Sequence, residues 1–101
     1  MRLNQVAHEF SRLLENLVLP TGFVALSGSL DLDHVERSLT LTTTPPFYTL
    51  AAGPKSTVVL ATMLAAKGPG TALHILDDPF RYMDDEWRQT AWRMVRASTD
   101  A

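Results

Sequence analysis

The chain has 101 residues, a net charge of −2, 46% apolar residues and 20% charged residues. That is the length and composition of one globular domain that buries its own core. It argues against intrinsic disorder and against a broad nucleic-acid footprint, which calls for a basic balance. With no cysteine, disulfides, thiol catalysis and Cys-based zinc sites are excluded.

Residues 3–18 carry the period of an amphipathic helix. Leu3, Val6, Phe10, Leu13, Leu14 and Leu17, with Ala7 and Val18, fall on one stripe, and polar residues fill the other side. Pro20 and Gly22 stop it. Val24, Leu26, Leu30 and Leu32 then alternate with Ala25, Ser27, Ser29 and Asp31, the two-residue period of a half-buried strand. Gly28 takes one inward position, which points to a bulge or a close approach. Leu39 and Leu41 alternate with Ser38, Thr40 and Thr42 in a second strand, over residues 38–44. A hairpin joins the two, unless Asp33 and Glu36 form a capping box for one helical turn. Pro45-Pro46 breaks the chain, and residues 47–51 read as a short third strand at a sheet edge.

Gly53-Pro54 opens a helix over residues 55–67, which Gly68-Pro69-Gly70 closes. This helix is apolar nearly all round. It is expected deep in the core or in an oligomer interface, with Val58, Val59 and Met63 as interface candidates. Residues 71–77 form a strand with apolar residues on both faces, which suggests a central position. Phe80 and Tyr82 mark a further short strand. Residues 84–97 form the closing helix, with Asp84, Asp85 and Glu86 at its start and Arg93 and Arg96 near its end, as the helix dipole favours. The expected fold is α+β, in the order α-β-β-β-α-β-(β)-α. A mainly antiparallel sheet is packed by helices in a single compact domain.

Few residues suggest chemistry. Gly53-Pro54-Lys55-Ser56-Thr57 has the outline of a phosphate loop. However, proline stands where the motif needs a glycine whose amide can face the phosphate, so a helix start is the better reading. Asp31, Asp33 and His34 are too few ligands for a hard cation and fit a solvated turn. His74 with Asp77 and Asp78 resembles an acid–base pair, with Ser56 or Thr57 as a nucleophile only if the fold brings it near. A strand histidine with no catalytic role is the simpler reading. No cofactor motif is present.

The closing helix is the most informative surface. Met83, Trp87, Ala91, Met94 and Val95 form its inward stripe. Trp92, five positions from Trp87, points about 140° away at the helical period. It lies among Arg88, Arg93 and Arg96, the composition of a protein-binding hot spot. The alternative is a wide stripe in which Trp92 packs at the edge under arginine stems. Nucleic acid is a poor fit, because three acids open the same helix and the chain is acidic.

The order of elements resembles the class I chaperones of type III secretion systems. The likeness rests on the first helix (3–18), the hairpin (24–32 with 38–44), the middle helix (55–67) and the closing helix (84–97). The resemblance implies a dimer that holds an unfolded effector segment on its surface.

The functional expectation is therefore a non-enzymatic protein-binding module, either a secretion chaperone or an inhibitor- or antitoxin-like partner. A small enzyme using His74 and a structural homo-oligomer are the alternatives. The longest apolar run, 58–66, is interrupted by Thr62 and is too short to span a bilayer. Residues 1–10 lack the continuous apolar core of a secretory signal. The expected location is cytoplasmic, without a membrane or nucleic-acid partner.

Overall fold

The computed structural model describes residues 3–23, 25–33, 35–67 and 84–99. Along them run helix α1 (Leu3–Glu15), strands β1 (Ser27–Asp33) and β2 (Ser38–Thr44), a 3-10 turn (Phe47–Thr49), and helices α2 (Ala52–Lys67) and α3 (Asp85–Thr99). The class is α+β. The strands expected at 71–77 and 80–82 lie outside the described residues, as does Met83.

α1 buries Val6, Phe10, Leu13 and Leu14, the stripe that its sequence period marks. The helix ends three residues earlier than its apolar pattern does. The Asn16 side-chain amide and backbone N–H both donate to the Arg12 carbonyl (3.0 and 3.2 Å). These bonds satisfy a carbonyl that the last helical turn leaves open. Val18 therefore falls beyond the helix and is exposed. A turn over residues 20–23 follows, closed by the Phe23 N–H on the Pro20 carbonyl (3.1 Å), with Gly22 at φ 87°. A positive φ at the third turn residue is what glycine permits.

β1 and β2 pair antiparallel in unbroken register from Ser27↔Thr44 to Asp33↔Ser38. Leu26, Leu30, Leu41 and Thr43 turn toward α1, while Ser27, Asp31, Thr40, Thr42 and Thr44 face out. At the tip, one Asp33 carboxylate oxygen accepts the N–H groups of Val35 and Glu36 (2.9 and 3.1 Å). Arg37 takes φ 54°. The Asp33 cap thus serves a hairpin turn rather than a helical one.

Gly28 makes a close approach and no bulge. A Cβ there would lie 2.8 Å from Leu14 Cδ1, 3.1 Å from Phe10 Cε2 and 3.2 Å from the Thr42 carbonyl oxygen. α1 lies directly on the strand at this point, and the Ser11 hydroxyl donates to the Gly28 carbonyl (3.1 Å).

The third strand expected at 47–51 is instead the 3-10 turn. Pro45 and Pro46 have no N–H to offer a ladder, and the Pro46 carbonyl is used locally. It accepts the Thr49 N–H (2.9 Å) and hydroxyl (2.6 Å), while the Leu50 N–H donates to Phe47 (3.1 Å). The Thr44–Pro45 bond is cis.

α2 begins at Ala52, before the expected Lys55, with Pro54 in its first turn, where a missing N–H costs nothing. Gly53 and Lys55–Thr57 are helical, so the segment resembling a phosphate loop is a helix start. α2 packs between α1 and α3. Its small residues Gly53, Ala61 and Ala65 are buried together with Val58, Leu60 and Leu64. Gly53 is a second point of close approach. A Cβ there would meet Trp87 Cγ, Cδ1 and Cβ at 2.8, 2.9 and 3.0 Å. The Phe23 ring meets the same indole in a T-shaped arrangement, with centroids 5.0 Å apart.

Both glycines leave no room for a methyl group. Gly28→Ala and Gly53→Ala are each expected to destabilise the fold by about 1–3 kcal/mol through overpacking. The loss at Gly53 should be the larger, because the root of an indole yields less than the tip of a leucine. Urea unfolding checks both values, and a neutral or stabilising Gly53→Ala would contradict the packing.

Candidate protein-binding surface

α3 starts at a side-chain cap. An Asp84 carboxylate oxygen accepts the Trp87 N–H (2.9 Å), and the Asp84 carbonyl accepts the Arg88 N–H (2.9 Å). Asp85 and Glu86 follow in the first turn. The helix then separates its two tryptophans. Trp87, only 7% exposed, lies inward with Ala91, Met94 and Val95, as the apolar stripe requires. Thr90 and Ser98 are buried on the same side. An apolar pattern cannot reveal them. Thr90 is held there by donating its hydroxyl to the Val18 carbonyl (2.7 Å), which ties the segment after α1 to α3.

Trp92 is 43% exposed. Arg88, Trp92 and Arg96 stand four residues apart, in a row along the outer face, with the exposed Arg93 on the flank nearer α1. Arg88 approaches Asp85 at 3.7 Å, a surface pair with little energy to offer. The structure thus brings the four candidate residues of this helix onto one surface.

The middle-helix candidates divide. Val58 is fully buried within the chain's own core and cannot face a partner. Val59, 48% exposed, and the half-buried Met63 look outward. Apolar character all round the helix could not tell Val58 from Val59, since the choice depends on which side its neighbours cover. His34, His74, Asp77 and Asp78 lie outside the described residues. Thr57 is buried with its hydroxyl donating to the Gly53 carbonyl (3.0 Å), so it is spent inside its own helix. Among the described residues, no group of three potential metal ligands occurs, and no helix is long and apolar enough to cross a bilayer.

A feature that sequence reasoning missed lies beside the arginine face. The C-terminal half of α1 and the middle of α3 bound a groove of about 50 Å³. Its walls carry Leu13, Leu17, Val18 and Met94, with Arg12, Asn16 and Arg93 among its polar residues. A second, more open depression of about 160 Å³ adjoins it, running from Pro20 and Thr21 to Glu86 and Gln89, and shares Thr90 and Arg93 with the first. Both are smaller than the roughly 300–1,000 Å³ typical of small-molecule sites.

Arg12 is already engaged. Its Nε donates to Glu9 Oε2 (2.9 Å) and its Nη2 to Glu9 Oε1 (2.5 Å). The hydrogen bonding from Arg12 holds the Glu9 carboxyl below its ordinary pKa against the opposing effect of burial, and Glu9 raises that of Arg12. No one-dimensional pattern pairs α1 with α3, so only the fold assembles this groove.

Compared with protein-family models, curated proteins and solved structures, the chain finds no match in any of the three.

The two tryptophans should respond differently to truncation. Trp87→Ala is expected to cost about 3–5 kcal/mol, the range for a buried aromatic. Trp92→Ala should cost about 1 kcal/mol or less, as a surface change does. Chemical denaturation of the two variants tests this, and comparable losses would place Trp92 in the core.

Proposed function

We propose that this domain is a non-enzymatic protein-binding module working through the outer face of α3. The observation that carries the proposal is Trp92, nearly half exposed among Arg88, Arg93 and Arg96 on a helix whose other tryptophan is buried. Tryptophan and arginine are the residues that most often dominate binding energy. A large apolar ring contributes by leaving water, and guanidinium groups supply planar, multidentate donors. The position suits capture of a protein segment, as a secretion-effector chaperone or an inhibitor- or antitoxin-like partner would perform.

A second reading is supported by Val59 and Met63, which leave an outward apolar strip on α2. A homodimer would cover that strip.

Co-expression with the products of neighbouring genes, followed by co-purification, tests the first reading. Trp92→Ala should keep its fold and lower partner recovery by about tenfold or more, the scale of a hot-spot truncation. Equal recovery with wild type and variant would refute the role of the α3 face. Loss of recovery with Val59→Asp alone, accompanied by a change from dimer to monomer in light scattering, would favour the second reading.

A further inference from the structure

We propose that the groove between α1 and α3 seats one apolar side chain of a partner protein and that Arg93 holds an acidic residue beside that side chain in the partner's sequence. This rests on the protein-binding reading and adds the chemistry of what is bound. Three observations converge on it.

The first is shape. The groove's apolar wall is made by Leu13, Leu17, Val18 and Met94, and it is too small to take more than one side chain. Val18 is solvent-exposed at its edge because α1 has already ended there. An apolar side chain entering the groove would cover Val18 and leave water itself, which is the favourable term in such docking.

The second is charge. Two cations border the groove, but they are not equivalent. Arg12 is committed to Glu9 by two hydrogen bonds. Thr90 is committed to the Val18 carbonyl. Arg93 is exposed, lines both depressions, and has no hydrogen bond or ion pair among the described residues. A carboxylate next to the inserted side chain meets a guanidinium free to take it in a bidentate pair.

The third is what lies beyond. Glu86 lines the second depression along with Arg93. It disfavours a run of acids and any polyanion, because nucleic-acid binding gains its strength from several phosphate contacts at once. The occupant is therefore a protein segment with one apolar residue and one adjacent acid, not a nucleic acid.

The test is a ¹⁵N NMR titration of the whole chain with three capped peptides of the same Ser/Gly background. Their centres are Leu-Asp, Leu-Lys and Ala-Asp. The Leu-Asp peptide should bind saturably in the millimolar range or tighter, with the largest shifts at the amides of Leu13, Leu17, Arg93 and Met94. The Ala-Asp peptide should bind about tenfold more weakly through the lost apolar contact, and the Leu-Lys peptide about three- to fivefold more weakly, the scale of an exposed ion pair. Arg93→Glu, a change on an exposed residue, should weaken Leu-Asp by a similar factor and improve Leu-Lys.

The proposal is overturned by absent or non-saturable shifts, by shifts that map away from the groove, or by equal response to Leu-Asp and Leu-Lys. It is also overturned if Arg93→Glu dissociates a dimer that forms without peptide, since the groove would then belong to a second copy of the chain. Capture of a partner that depends on Trp92, with the groove silent, would leave the α3 face standing and remove only this assignment.

Discussion

α1 lies so close to β1 that no side chain fits at Gly28, and the rest of the architecture follows from that approach. Phe10 and Leu14 occupy the space that a Cβ would take, and Ser11 hydrogen-bonds the strand at the same point. The two-stranded hairpin gains a helix over its inner face at this point. A hairpin alone is marginal in water, and packing against a helix is what gives it independent stability. α1 also meets α2, and α2 meets α3 at Gly53, where the Trp87 indole fills the space above the glycine. Two glycines thus set two close approaches, α1 on the hairpin and α3 on α2, and a larger residue at either place would push the paired elements apart.

That arrangement assigns opposite duties to the two tryptophans of α3. Trp87 is held by Gly53 beneath it, the T-shaped contact with Phe23 and the Asp84 cap at its backbone. With Trp87 pinned inward, the helical period sends Trp92 outward with the arginines. Thr90 reinforces the orientation through its bond to the Val18 carbonyl, and the same bond sets one end of the groove beside Arg93. The outer face and the groove are consequences of how the core is packed. They need no separate structural device.

Much of this could be read from the sequence wherever a single element reports on itself. The inward stripe of α1 as far as Leu14, the alternation around Leu26, Leu30 and Leu41 in the hairpin and the off-stripe angle of Trp92 are local periodicities that the structure follows. Val18, by contrast, falls past the helix end, and the side chains of Val24, Leu32 and Leu39 lie outside the described residues. Gly28 was informative for the same reason, as a missing side chain at an inward strand position. The failures have one physical origin, which is competition between local and distant partners. Residues 47–51 have strand-like composition, but two prolines withhold donors while Thr49 and Leu50 find acceptors three residues back. α2 is apolar all round, so only its neighbours decide that Val58 is core and Val59 is surface. Thr90 is polar and buried because a carbonyl from another element awaits it. The groove combines residues about eighty positions apart and has no signature in either helix alone.

The measurement that bears most directly on this account is acrylamide quenching of tryptophan fluorescence in the single-tryptophan variants Trp87→Phe and Trp92→Phe, each first confirmed as folded by circular dichroism. The variant that retains Trp92 should be quenched several-fold more strongly than the one that retains Trp87. Equal quenching, or a protected Trp92, would contradict the division of α3 into a core face and a binding face.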